Sequence, residues 1–269
     1  MTLVLTQLTP AGISMAADSA ITKFQNGRII EVDQQGWTKL LRVPKIIAAV
    51  SYWGMIGAVT KQQFDTWLQN VVIQNGNYTD LQIFSDHLVD QLNRACNNKP
   101  LKNGFDVGIH VAGYSRWRDG MERPTFIHVH NGHGRIKLNE IRDNSGNLLS
   151  INPVWDSDPR KLFEKHQDFP DLNDPIAKNI DDLNGGHLTR NGDFFLYAVF
   201  QDHIIKALQY IHKAPNIKIP KDPNKLPSQK GFLHIMLETM IRLYRCSNQS
   251  KIVGGTVSSL AIGPNGYVH

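Results

Sequence analysis

The chain opens with Thr2-Leu3-Val4-Leu5-Thr6-Gln7-Leu8. After Thr9-Pro10-Ala11 it continues with Gly12-Ile13-Ser14-Met15-Ala16-Ala17-Asp18-Ser19-Ala20-Ile21-Thr22. Leucines interrupted by Thr and Gln, a Thr-Pro-Ala-Gly turn signal and a compact apolar run from Ile13 to Ala17 predict a β-hairpin that begins at residue 2. Working outward, residues 27–32 and 38–43 read as a second hairpin around Gln34-Gln35-Gly36. The Ile/Ala/Val run over 45–52, closing on Gly54, reads as one further strand. The N-terminal third is therefore expected to be sheet.

The period then changes. Ile56, Phe64, Leu68, Val71 and Val72 recur on a helical face. After an Asn75-Gly76-Asn77 break, Thr79-Asp80-Leu81-Gln82 reads as a capping box for a helix that turns Phe84, Leu88 and Leu92 inward. Strand character returns over 105–114 and 124–130. Residues 131–192, rich in Asn, Asp, Gly and Pro, read as an insertion with some local order, because so long a structureless connection is uncommon in a compact domain. Asp193 is expected to cap a helix carrying Phe195, Val199 and Leu208. Ser228 opens another with Leu233, Leu237, Ile241 and Tyr244, and 252–262 closes the chain as a strand. Helices in pairs between sets of strands, without strict βαβ alternation, predict an α+β fold in one domain over 1–269, with two sheets packed face to face under helical layers.

Composition narrows the function classes. With 269 residues, 41% hydrophobic, 20% charged and 9% aromatic, the chain is globular in type and far from the signature of disorder. No apolar run reaches the ~18–20 residues of a membrane span, and the N-terminus lacks the pattern of a secretory signal, so a cytoplasmic protein with no membrane partner is expected. Cys96 and Cys246 make neither a disulfide framework nor a CxxC zinc site. The formal charge is +5, but the basic residues are scattered and the densest stretches hold few aromatics to stack on bases, which argues against nucleic acid. His128, His130 and His133 have a spacing seen in metal sites. No cysteine or carboxylate lies close in sequence to complete a shell, so they read as exposed strand and turn histidines. Asp156-Ser157-Asp158 reads as turn chemistry because the Gly and Glu of a calcium loop do not follow. Neither a metal nor a cofactor is expected.

Thr2 follows Met1, and a small second residue permits methionine removal. A mature chain beginning at Thr2 would join a hydroxyl nucleophile to an α-amino base whose unperturbed pKa is about 7.7–8.0. Further residues stand in register with it: Ala16-Ala17-Asp18-Ser19-Ala20-Ile21-Thr22, then Trp37-Thr38-Lys39-Leu40, then Ala48-Ala49-Val50-Ser51-Tyr52-Trp53-Gly54. This pattern resembles the N-terminal part of proteasome β-type subunits and their bacterial relatives, in the N-terminal-nucleophile hydrolase superfamily. The resemblance is clear over roughly residues 2 to 60 and continues in outline beyond.

The resemblance implies a four-layered αββα sandwich and a threonine peptidase with Thr2 as nucleophile and its own amine as base. Lys39 would lower the hydroxyl's hold on its proton, Asp18 would hold Lys39, and the backbone N–H near Gly54 would be an oxyanion donor. Thr22 would bond an extended substrate backbone, and Ile21, Tyr52 and Ile56 would line an apolar pocket for the side chain next to the cleaved bond. A peptide or protein substrate, a homo-oligomeric ring and an ATPase unfoldase partner follow from the same resemblance. Two alternatives stand beside it: a catalytically silent structural or docking subunit, and an amidase acting on a small amide. The chain also departs from the family. An Asp and a Ser are expected just before the Gly254-Gly255 pair, where Ser250-Lys251-Ile252-Val253 stands instead. For the serine of a Gly-rich loop before the third helix, Asn184-Gly185-Gly186-His187 is the nearest candidate.

Overall fold

The computed structural model of the chain describes residues 2–9, 11–25, 28–34, 37–74, 78–101, 106–116, 120–131, 136–142, 148–155, 162–166, 187–192, 225–246 and 253–268. The hairpin expected at the start is present. β1 (Leu3–Thr9) and β2 (Gly12–Asp18) run antiparallel with Val4 opposite Ala17 and Thr9 opposite Gly12. The next pairing differs from the expectation. β3 (Ile21–Gln25) pairs with β4 (Arg28–Asp33), and β5 (Leu40–Val43) pairs with β6 (Ala48–Gly54). Only Asn26-Gly27 separates β3 from β4, and Asn-Gly is the favoured dipeptide of a two-residue hairpin, a stronger local signal than Gln34-Gln35-Gly36.

β7 (Val107–Arg116) and β8 (Glu122–His130) lie where strands were expected. The region read as an insertion supplies more strand than its composition suggested. β9 (Ile136–Arg142) and β10 (Leu148–Trp155) form a two-stranded sheet, while β11 (Glu164–His166) and β12 (His187–Gly192) each border a larger sheet. Short edge strands carry little periodic signal, which is why the sequence conceals β11 and β12. β13 (Val257–Gly263) and β14 (Gly266–Val268) complete the order. One five-stranded sheet runs β12-β1-β2-β13-β14 and the other β11-β8-β7-β6-β5, with every adjacent pair antiparallel.

Period-two alternation sends each strand's residues to two different cores. Val4, Leu8, Ile13, Met15 and Ala17 of the first sheet meet Leu40, Ala49, Ala112 and Phe126 of the second in one buried cluster, so the sheets pack on each other. From the outer face of the first sheet, Leu3, Leu5 and Ala16 pack against Leu233, Met236, Leu237, Met240 and Ile241 of α3 (Leu226–Cys246). The outer face of the second sheet, with Val50, Tyr52, Ile109, Val111 and Val129, is covered by α1 (Phe64–Gln74) and α2 (Leu81–Ala95) through Phe64, Leu68, Phe84, Leu88 and Leu92. The near-continuous apolar runs of β1 and β2 follow, because both faces of each strand are covered.

The start of α2 is one residue displaced from the expected box. Asp80 is its N-cap, with Oδ1 accepting from the Ile83 N–H at 2.8 Å, since a carboxylate there satisfies an otherwise unpaired first-turn donor. No helix among the described residues is long and apolar enough to cross a membrane. The helix expected after Asp193, His133, Asp156-Ser157-Asp158 and Asn184-Gly185-Gly186 lie outside the described residues.

Leu233 is fully buried between α3 and the first sheet. Leu233→Ala should lower the unfolding free energy by about 2–5 kcal/mol in a denaturant titration, the range for a leucine truncated in a packed core.

Candidate active site

Three expected residues converge. Thr2 stands one residue ahead of β1, and Asp18 is the last residue of the antiparallel β2, so the hairpin register brings the two to the same end of the first sheet. Lys39 arrives from the other sheet, one residue ahead of β5. Its Nζ donates to Thr2 Oγ1 at 2.8 Å, to Asp18 Oδ1 at 2.9 Å and to the Ala20 carbonyl oxygen. An ammonium has three N–H donors, and these are its three acceptors.

The cluster is withdrawn from water: Thr2 is 3% exposed, Asp18 1% and Lys39 1%. Burial pushes the Lys39 ammonium below its ordinary pKa of 10.5, while the Asp18 carboxylate opposes that shift by charge and hydrogen bond. Asp18 is itself held on both oxygens. Oδ1 also accepts from the Leu3 N–H at 3.0 Å, and Oδ2 accepts from the Gly254 N–H at 3.0 Å.

The last contact brings in the loop of the Gly254-Gly255 pair. The Gly254 carbonyl accepts from the Ser19 and Ala20 N–H groups at 3.3 and 3.2 Å, and the Thr256 N–H donates to Ser19 Oγ at 2.9 Å. The Gly255 N–H donates to Gln34 Oε1 at 2.6 Å. Gly255 has φ +74°, and a Cβ there would fall 2.1 Å from Ser19 Oγ, so glycine is required by both conformation and space. In the sequence Ser19, Ala20 and Gln34 stand only as turn or pattern residues. Backbone donors and acceptors leave no signature in a side-chain motif.

The remaining expected residues divide. Tyr52 and Ile56 are buried members of the α1–α2 core and Ile21 packs against it from its edge, so the three meet in one apolar cluster. Tyr52 is fully buried, its ring set edge-on against Phe64 at 4.9 Å. Its hydroxyl has no hydrogen-bond partner among the described residues, and burial pushes its pKa up. Thr22 lies half-buried in β3 with its backbone opposite Val32. Gly54 has φ +94°, and a Cβ would fall 2.0 Å from the Asp106 carbonyl oxygen, so conformation and space both explain the glycine.

His128 corrects the expectation of exposed strand histidines. It is 7% exposed, accepts from Trp53 Nε1 at Nε2 at 3.1 Å, and lies across the strand pair from His110, which is fully buried and shares a hydrogen bond with Thr6 Oγ1 at 2.9 Å. Their strand faces look into the space between the sheets, where His and Trp satisfy each other's polar atoms.

No family model matches the chain, and no curated protein matches it. Among solved structures, an Anbu (Gly-1) mutant from Hyphomicrobium sp. strain MC1 aligns over 98% of this chain and 82% of its own, at 10% identity and TM-score 0.47. Anbu (ancestral beta-subunit) from Yersinia bercovieri aligns over 97% and 81%, at 12% identity and TM-score 0.47. Likeness at that level decides neither the fold nor the activity of this chain.

Two outcomes follow from the buried pair. Asp18→Asn leaves the Lys39 ammonium without its counter-charge and should cost about 3–5 kcal/mol of stability in denaturant unfolding, the range for breaking a buried pair from one side. Lys39 also titrates lower in the folded chain than the 10.5 of a free lysine. Between those two midpoints the folded chain binds fewer protons than the unfolded one, so stability rises with pH there. Measured against Lys39→Met, wild-type stability should therefore increase as pH rises toward 10.5 and decrease as it falls through the folded midpoint.

Proposed function

We propose that the chain is a threonine-type N-terminal-nucleophile hydrolase of the proteasome β-like kind, one domain folded as a four-layered αββα sandwich. It cleaves peptide bonds through an ester on Thr2 after Met1 is removed. The observation that carries this reading is the 2.8 Å contact between Lys39 Nζ and Thr2 Oγ1, with Asp18 on the same ammonium. An oxygen that accepts from a cation gives up its own proton more readily, and the α-amino group of a mature Thr2 is the base that takes it. Attack on the substrate carbonyl forms a tetrahedral oxyanion, for which a backbone N–H near Gly54 is the proposed donor. Collapse expels the amine, protonated by the α-ammonium, and leaves the acyl group esterified to Thr2. Water, deprotonated by the same amine, then releases the acid. None of these steps needs a cofactor.

Ile21, Tyr52 and Ile56 are proposed to set an apolar preference next to the cleaved bond, and Thr22 to pair with the substrate backbone. A cytoplasmic homo-oligomeric ring served by an ATPase unfoldase is the matching assembly. A second reading, the catalytically silent subunit, draws on one observation: Val253, fully buried, stands directly before Gly254, where the active family places supporting polar groups nearby.

A panel of fluorogenic peptides tests the proposal. Leu, Phe or Tyr next to the bond should be cleaved faster than Arg, Lys or Glu, because a charged group entering an apolar pocket loses hydration without a partner. Thr2→Ala should abolish turnover. It also removes an acceptor from a buried ammonium, at a stability cost of about 1–3 kcal/mol, so unfolding is followed alongside. Unchanged turnover in Thr2→Ala overturns the nucleophile, and no turnover by wild type lacking Met1 favours the silent subunit.

A further inference from the structure

Gln34 belongs to no motif of the sequence, yet its side chain reaches the loop that holds Asp18. Its Oε1 accepts from the Gly255 N–H at 2.6 Å, and its backbone carbonyl is 3.5 Å from Ser19 Oγ, which donates to it. Its amide also lies against Gly254: a Cβ on that glycine would fall 2.1 Å from Gln34 Oε1. The Gly254-Gly255 turn is thus gripped from two sides, by Ser19 and Ala20 along the chain from Asp18 and by Gln34 five positions before Lys39. Described residues on either side of Gln34 have partners of their own. Trp37 Nε1 donates to Asp33 Oδ2 at 3.1 Å, and the Thr38 N–H donates to Asp65 Oδ2 of α1 at 3.3 Å.

We infer that Gln34 is a positioning residue of the site: by clamping Gly255 it keeps the Gly254 N–H on Asp18 Oδ2, and so keeps Asp18 Oδ1 on the Lys39 ammonium. The inference rests on the nucleophile reading for its meaning in catalysis. Two covalent bonds separate the clamped N–H from the Gly254 Cα, so a shift at one amide moves the other. A carboxylate that loses the Oδ2 donor keeps only its Oδ1 contacts, to the Leu3 N–H and Lys39, and is held less firmly in place. Gln34 thereby supplies from the β4–β5 connection a tether for a loop that Val253, an apolar residue, cannot support through a side-chain hydrogen bond.

The groups around Lys39 set the sign of the test. Asp18 faces it from β2, Thr2 from ahead of β1, and the Ala20 carbonyl from the segment after β2. Asp65, on α1, bonds the neighbouring Thr38 N–H, and the Tyr52 hydroxyl of β6 lies within electrostatic reach of both Asp18 and Asp65. Of these, Asp18 is the charge that holds the ammonium against burial, so loosening Asp18 must lower the pH at which Lys39 titrates.

The experiment follows the Lys39 side chain by NMR in lysine-labelled protein, assigned against Lys39→Met, together with the rate of Thr2 acylation by a threonine-directed electrophile. In Gln34→Ala the Lys39 midpoint should fall by about half a pH unit or more. The saturating acylation rate should fall about tenfold, with half-saturation within about threefold and the high-pH limb moved down with the lysine. Gln34→Glu keeps an acceptor for Gly255 and adds negative charge, so its Lys39 midpoint should return to the wild-type value or above. Gln34→Asn, which withdraws the oxygen by one methylene, takes the place of the alanine variant if that one does not fold. A Lys39 midpoint in Gln34→Ala equal to wild type overturns the inference, whatever the acylation rate. Absence of any wild-type acylation at Thr2 sinks the nucleophile reading instead and leaves the titration to decide Gln34.

Discussion

A lysine ammonium with three acceptors, 1% exposed, is the constraint on which this end of the molecule depends. Removing such a charge from water is costly unless charge and hydrogen bonds replace the lost hydration. Here the replacement comes from separate parts of the chain: a hydroxyl ahead of β1, a carboxylate at the end of β2, and a carbonyl just beyond it. The carboxylate needs its own partners, and these are backbone N–H groups of Leu3 and Gly254. The first strand, the second strand and the C-terminal strand's approach are therefore locked to one another through a single polar cluster.

The sheets make that cluster possible. Asp18 and Thr2 belong to one sheet and Lys39 to the approach of the other, so they meet only because Val4, Met15 and Ala17 pack against Leu40, Ala49 and Ala112 across the intervening layer. Helices on the outer faces bury the opposite sides of the same strands, which gives β1 its unbroken apolar character at Leu3, Val4 and Leu5. Tyr267 adds a link at the far end, its hydroxyl donating to the Ala48 carbonyl at 2.6 Å across the two sheets.

What was legible in the sequence was whatever a side chain announces. Long periodic helices were placed with their inward faces correct: Leu88 and Leu92 on α2, Leu233 and Leu237 on α3 are all fully buried. Thr2 stands out by its own chemistry at the start of the chain, Asp18 and Lys39 by the family resemblance, and the three do converge. What could not be read was carried by backbone and by edges. The β3–β4 hairpin was hidden because its Asn26-Gly27 dipeptide competed with a second turn signal a few residues on. Polar composition hides β9, β11 and β12, and Pro153 inside β10 argues against a strand there. The hold of Gly254 on Asp18 is one amide on one carboxylate, 236 positions apart in the chain, and no local pattern encodes it. A buried imidazole such as His128, satisfied by Trp53 from 75 positions away, looks in sequence like any strand histidine.

The central claim is that Thr2 is a nucleophile with a free amine. It is tested most directly by treating the purified protein with a threonine-directed electrophile and mapping the N-terminal peptide by mass spectrometry. The account predicts a peptide that begins at Thr2, without Met1, and carries one adduct. A peptide that retains Met1 and bears no adduct, or an adduct on any other residue, would contradict it.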